Sequence, residues 1–300
     1  MRYRPFGRLG RSISAVTLSL PATLEPSAAA ALVHAALEAG VNGFQLIDPT
    51  PALSSAVGQA LGAASDRSIC VVMLKMGGGE ARGRARGVRD FSAGRIAATV
   101  EEVIEASGLQ LLDALILDAP QTDEATPETL PALEAARASG RAALIGLSGE
   151  SGMVDHALAR GGLDILGGAY NIRSGWPQRT RVKTAVERGL SVIGERFEPT
   201  WVSTTEETPP QGGEPGMLGR FLRRRAPLGA SGAYAFLRET SGWASDELCL
   251  AYALTEPSLA TVLIEATTTD ELSRLAAVAE RDLPGGVSAQ IEMARFSGGA

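Results

Sequence analysis

The sequence has few of the residues that build metal sites or disulfide frameworks. Two cysteines, Cys70 and Cys249, and two histidines, His34 and His156, occur in 300 residues. Cys70 lies in the apolar run 69–74 and Cys249 in the helix-like run 246–253. Such placement reads as two buried thiols in a reducing compartment rather than a bridge. No Cys/His cluster has metal-ligand spacing, and both histidines sit in helix-like stretches as structural or surface groups. Aromatic residues make up only 5% of the chain, so its core must rest on Ala, Leu, Val and Ile. Positive charge is not in excess. The formal net charge is −6, which argues against a nucleic-acid or membrane-surface role, since either favours a basic field. No apolar run reaches the about 18 residues of a membrane span. The opening MRYRPFGRLG carries no apolar segment of the secretory type. The expected location is the cytoplasm.

What is present is an alternation. Eight short β-type runs, 15–20, 41–46, 69–74, 114–117, 143–147, 165–169, 190–193 and 261–264, are separated by longer Ala-rich helical runs such as 26–39, 94–106 and 127–138. Eight strand-then-helix units predict a closed parallel (β/α)8 barrel, a single domain over residues 1–300. An open doubly wound sheet is the second choice, and it lacks a G-x-G-x-x-G after the first strand. Two irregular segments interrupt the pattern. Residues 77–90, GGGEARGRARGVRD, carry Arg82, Arg84, Arg86 and Arg89. They read either as a mobile cover that meets an anionic ligand or as a solvated flexible loop. Residues 203–219, rich in Thr, Glu, Pro and Gly, read as a long irregular insertion. The basic run 220–225, with Phe221 and Leu222, reads as a short helix with a charged face rather than a nucleic-acid site.

Seven stretches in order carry a family likeness: 1–9 MRYRPFGRL, 36–44 ALEAGVNGF, 91–119 FSAGRIAATVEEVIEASGLQLLDALILDA, 140–148 GRAALIGLS, 169–171 AYN, 187–193 ERGLSVI and 261–272 TVLIEATTTDEL. Together they resemble the aldo-keto reductases over nearly the whole chain. The resemblance implies a (β/α)8 barrel with an N-terminal hairpin across its bottom. It also implies NADP-dependent carbonyl reduction by a Tyr proton donor, a Lys, an Asp and a His at the C-terminal ends of the strands. The chain departs from that pattern. Gln45 stands at the Asp position and Thr50, five residues on, at the Tyr position. Lys75, in MLKMG, matches the Lys, and Asp118 stands where the His is expected. A Thr hydroxyl is a far weaker acid than a phenol, so Thr50 does not readily replace the Tyr as proton donor.

The cofactor positions implied by the resemblance are altered as well. Ser148 and Asn171 are kept as groups for the nicotinamide amide, while Gly149 and Gly167 replace an Asn and a Gln. Glu195 stands where an aromatic ring would stack, with Arg196 beside it, and Glu265 where a small Gly would lie near the phosphates. Thr267 and Thr268 could still present backbone N–H groups to an anion at a helix start. Arg274 is the nearby candidate for a 2′-phosphate.

These residues leave the mouth of the expected barrel with Gln45, Asp48, Lys75, Asp118, Ser148, Asn171, Glu195, Arg196 and Glu265. Asp48, just before Pro49, also reads as a loop or capping acceptor. Lys75 reads as an ion-pair partner of Asp118, or as an acid/base or cationic group in an elimination, isomerisation or cyclisation. A Schiff-base role is disfavoured, because neighbouring carboxylates raise a lysine's pKa. The expected function is therefore a lyase, dehydratase, isomerase or cyclase that needs no nicotinamide and acts on a small polar metabolite, anionic ones included. The alternatives are an NADP-dependent oxidoreductase with altered acid/base groups and a non-catalytic binding or regulatory barrel. No residue pattern speaks to the oligomeric state.

Overall fold

A computed structural model of the chain describes residues 1–8, 10–63, 67–77, 89–121, 123–199 and 234–297. A hairpin comes first, β1 (Tyr3–Phe6) paired antiparallel with β2 (Arg11–Ser14). Eight parallel strands follow: β3 (Val16–Pro21), β4 (Gly43–Ile47), β5 (Val71–Met76), β6 (Leu112–Asp118), β7 (Ala142–Ser148), β8 (Ile165–Ala169), β9 (Ser191–Glu195) and β10 (Leu259–Ile264). They pair in chain order, and β10 pairs β3 to close the barrel. The helices described are α1 (Pro26–Glu38), α2 (Pro51–Gly62), α3 (Ala93–Ser107), α4 (Thr129–Ala138), α5 (Gly152–Arg160), α6 (Trp176–Glu187), α7 (Phe236–Glu239), α8 (Ser245–Leu254), α9 (Thr269–Val278) and α10 (Val287–Ser297). The (β/α)8 barrel expected from the alternation is the fold. Of the two irregular segments, residues 78–88, with Arg82, Arg84 and Arg86, and residues 203–219 lie outside the described residues, as does the run 220–225.

Strand side chains alternate between two cores. Along β5, Val72, Leu74 and Met76 pack outward in the layer shared with the helices. Val71 and Met73 face inward, in a second cluster with Ile116, Leu144, Ile165 and Ile193. The same alternation turns Lys75 inward, one step above Met73. Phe6 and Ile13 of the hairpin are fully buried in that inner cluster and close the barrel floor. Gly7 makes the hairpin turn at φ +61°, and a Cβ there would lie 2.4 Å from Leu144 Cδ1, so the floor admits no side chain at that point. Arg4 fastens the hairpin to the end of α8, donating to the carbonyls of Leu254 at 2.8 Å and Glu256 at 3.1 Å. These are helix-end acceptors with no partner in their own helix. Burial, followed by the neighbouring Arg2, pulls the Arg4 pKa below the ordinary arginine value.

The observed strands differ from the expected ones at their C-terminal ends. Four expected runs stop at the last apolar residue, yet β5 continues to Met76, β6 to Asp118, β7 to Ser148 and β9 to Glu195. A ladder is made by backbone groups and continues through a polar residue when its side chain faces the barrel mouth. Expected strand 69–74 also starts too early, because residues Arg67–Ile69 form a single 3-10 turn. Cys70 and Cys249 are buried free thiols, and His34 and His156 are exposed on α1 and α5. Among the described residues no helix is long and apolar enough to cross a membrane, and no group of acidic, Cys or His side chains could hold a metal.

Candidate active site

The C-terminal ends of β5, β6, β7 and β9 bring four polar side chains together inside the barrel. Lys75 Nζ lies 2.8 Å from Asp118 Oδ1 and 2.8 Å from Glu195 Oε2. The Ser148 hydroxyl donates to Glu195 Oε1 at 2.8 Å, with Asp118 Oδ1 at 3.3 Å. Lys75, Ser148 and Glu195 are buried. The Asp118 side chain is 19% exposed, against 7% for Lys75 and for Glu195, so Asp118 is the member that faces solvent. Burial pushes the Lys75 pKa down, but the carboxylates of Glu195 and Asp118 push it up further, and the net shift is upward. Lys75 is therefore an ammonium at neutral pH, with two of its three N–H donors engaged. The cluster carries two carboxylates and one cation.

Glu195 reaches this position because β8 carries a glycine opposite it. Gly167 is paired in register with Ser148. A Cβ at Gly167 would lie 2.6 Å from Glu195 Oε1 and 2.9 Å from Ser148 Cβ. A side chain there would force the carboxylate to shift from this position. The two departures noted in the sequence, Gly167 and Glu195, are thus one matched change. Sequence reasoning treated them separately, because a glycine's consequence shows only when the neighbouring strand is in place.

Arg89 braces the rim. It donates to the carbonyls of Asp118 at 2.6 Å, Ala119 at 3.0 Å and Gly77 at 3.2 Å. It also forms a two-pronged ion pair with Glu124 and lies over the Phe91 ring, 5.2 Å from its centroid. Its side chain is buried. For Arg89 this corrects the expectation of a solvated or ligand-seeking loop arginine: five donors in a rigid fork tie the chain after β5 to the chain after β6. Asp48 joins the same rim, its Oδ1 accepting the Gly77 N–H at 2.8 Å. Asp48, Ala119 and Arg196 follow β4, β6 and β9 directly and have φ of 42°, 39° and 47°. Left-handed backbone at non-glycine residues costs roughly 1–3 kcal/mol each, and it is concentrated here at the mouth.

The other expected site residues fall into two groups. Gln45 faces inward on β4, fully buried, and neither atom of its carboxamide has a hydrogen-bond partner among the described residues. Ser19, aligned with it on β3, is also buried with an unpartnered hydroxyl. Sequence reasoning missed Ser19. The signal was a second polar residue, two positions after Thr17, on the inward face of the first barrel strand. The remaining residues have local duties. Thr50 is exposed and caps α2, accepting the Leu53 N–H at 3.2 Å, so its place among reacting groups is corrected to a capping role. Asn171 stitches its own loop, donating to the Arg196 carbonyl at 2.9 Å and accepting the Arg173 N–H at 2.9 Å. Arg196 and Glu265 are exposed. Thr268 caps α9. The Thr267 N–H and hydroxyl donate to Glu271 Oε2 at 2.8 and 3.0 Å. Arg274 is held by Asp246 at 2.7 Å and Glu247 at 3.4 Å. Hydrogen bonding to Asp246 is the main cause that raises its pKa.

The profile of the Aldo/keto reductase family matches residues 16–295. The chain belongs to the aldo/keto reductase family. Among solved structures it resembles aldo-keto reductase AKR11C1 from Bacillus halodurans in its holo form, with a TM-score of 0.73 and 20% identity over 98% of this chain and 96% of that one. The apo form gives a TM-score of 0.68 and 19% identity over the same shares. At that identity the likeness concerns the fold. A comparison with curated proteins finds no match.

Membership in the aldo/keto reductase family raises the question of a nicotinamide dinucleotide, and groups that would face it are already engaged by this chain's own side chains. The Ser148 hydroxyl already donates to Glu195. The backbone N–H before α9, where a phosphate would gain most, already faces the Glu271 carboxylate. Arg274 is neutralised by two carboxylates. Glu265 adds a further negative charge beside the same helix start, and like charges there repel a pyrophosphate.

Proposed function

We propose that this aldo/keto reductase family member carries out proton-transfer chemistry without a nicotinamide, as a lyase, dehydratase, isomerase or cyclase on a small polar metabolite. The observation that carries the reading is the Lys75 ammonium held between Asp118 and Glu195, 2.8 Å from each. In this reading Asp118, the more exposed carboxylate, takes a proton from the carbon beside a carbonyl. The C–H electron pair becomes the C=C bond of an enolate. The carbonyl oxygen takes the negative charge, and the remaining N–H of Lys75 stabilises it. In an isomerisation Asp118, now protonated, returns the proton to the former carbonyl carbon while the proton of an α-hydroxyl passes to the enolate oxygen, so that the carbonyl moves one carbon along. In an elimination it gives the proton to a departing β-hydroxyl, which leaves as water as the enolate electrons form the C=C bond and restore the carbonyl. Either route restores the carboxylate. Glu195 keeps Lys75 charged and in place. A raised pKa leaves no neutral amine for a Schiff base.

The test is proton exchange in D2O, followed by NMR on a panel of small hydroxy-carbonyl compounds. Deuterium enters beside the carbonyl with the wild type, and Asp118→Asn and Lys75→Met each slow it at least roughly a hundredfold, within the 10²–10⁴ range of general acid/base groups. NADPH titrated in parallel produces no change in its fluorescence. Saturable NADPH binding with carbonyl-dependent oxidation would overturn the proposal in favour of an oxidoreductase with altered acid/base groups.

A further inference from the structure

We infer that Ser19 and Gln45 form the recognition end of this site and hold a neutral hydroxyl group of the ligand; the inference rests on the proton-transfer reading above. Both side chains point into the barrel. Their flanking residues Leu18, Leu20, Phe44 and Leu46 pack in the outer layer, so alternation turns Ser19 and Gln45 inward. The two are register partners on β3 and β4. Ser19 Oγ, Gln45 Oε1 and Gln45 Nε2 are all buried without a partner among the described residues. Buried polar atoms are nearly always hydrogen-bonded, and unpaired ones destabilise the fold. Two such side chains next to each other, one layer below the C-terminal mouth where barrel sites are built, mark a place that a ligand group completes.

The chemistry of that group follows from the donors and acceptors present. Gln45 Nε2 donates, Gln45 Oε1 accepts, and Ser19 Oγ does either. A hydroxyl satisfies all three, giving its proton to Oε1 and accepting from the others. The group is neutral because the adjacent cluster holds two carboxylates, Asp118 and Glu195, against the one cation of Lys75, and a third anion would be repelled. Spacing agrees with one small molecule. Gln45 is aligned with Met73, one inward step below Lys75, and inward neighbours along a strand are about 7 Å apart. A hydroxyl bonded at Gln45 therefore leaves a carbonyl one or two carbons away within reach of Lys75 and Asp118. The class is a neutral α-hydroxycarbonyl compound.

Three probes separate the elements of this inference: hydroxyacetone, which has both groups; acetone, which lacks the hydroxyl; and lactate, which has the hydroxyl and a charge. Binding is measured by saturation-transfer NMR and by thermal shift. The wild type prefers hydroxyacetone over each of the others by roughly tenfold or more. Gln45→Leu, close to Gln in volume, loses that preference while its melting temperature holds or rises, since an unpaired carboxamide has been removed. Ser19→Ala weakens hydroxyacetone binding several-fold. Lys75→Met keeps the preference. If that variant and the wild type both bind hydroxyacetone but neither exchanges protons, the proposed chemistry fails and the recognition site stands. Absence of any preference in the wild type overturns the inference. So does a preference unchanged in Ser19→Ala, which decides alone should Gln45→Leu not fold. A fall in melting temperature in Gln45→Leu with unaltered binding also overturns it, and shows an internal water bridging the pair.

Discussion

Lys75 and Lys183 are the two lysines of the chain, and their surroundings are opposites. Lys183 is 76% exposed beside Glu187, while Lys75 is buried between two carboxylates. Acylating reagents at neutral pH should label Lys183 and spare Lys75, as read by peptide mass spectrometry. Equal labelling would mean that the ion cluster does not form. Lys75→Met should cost about 3–5 kcal/mol in denaturant unfolding, because it leaves the buried Glu195 carboxylate, and the half-buried Asp118 beside it, without their shared cation. Thr50→Ala should cost about 1 kcal/mol, the loss of a helix cap, and leave ligand binding unchanged. At this scale the sequence showed which residues stand at strand ends, and Lys75, Asp118, Ser148 and Glu195 were all legible. The pairing of Lys75 with Asp118 was among the readings of the sequence, but the parts of Glu195 and Ser148 in the cluster were not. Lys75 and Glu195 are 120 residues apart, and the distance between them is set by barrel closure. Thr50 illustrates the converse. Its position matched a chemical role, but the Leu53 N–H three residues on offered a nearer, local one.

Strands β8 and β9 act as a pair. Gly167 leaves the space that Glu195 fills, and neither is informative alone. Gly167→Ala should destabilise the protein by about 1–3 kcal/mol, as overpacking does. The loss should be much smaller in a Glu195→Ala background, where the carboxylate oxygen nearest the new Cβ is absent. Such coupling is what a double-mutant cycle measures, and additive losses would show that Glu195 is not the group being crowded. The strand limits carry a related lesson. Hydrophobic runs mark where a strand is covered by the core, but pairing persists one or two residues further. Those extra residues, Lys75, Asp118, Ser148 and Glu195, are the site. Reading strands by apolarity alone therefore trims away the positions that matter most for chemistry.

The whole barrel converts these local facts into a pH dependence. The folded state raises the Lys75 pKa above the ordinary value of 10.5. A group whose pKa is raised on folding stabilises the protein fully below its unfolded value, and that stabilisation disappears as pH climbs through the folded value. The stability difference between wild type and Lys75→Met should therefore stay constant across neutral pH and shrink only on the alkaline side, above about 10.5. Unfolding curves recorded from pH 7 upward check this, and a difference that vanishes already near pH 8 would contradict it. The sequence by itself determined the eight-unit alternation and the residue types that stand at the strand ends, Lys75 and Asp118 among them. Those are properties of neighbours along one chain, where backbone periodicity governs. Only the tertiary structure decided that Lys75 meets both Asp118 and Glu195, that Gly167 makes room for Glu195, that Arg89 braces the rim, and that Ser19 and Gln45 have no partner among the described residues. Each of those depends on the register and closure of separate strands, which bring together side chains whose separation along the chain carries no information about their distance in space.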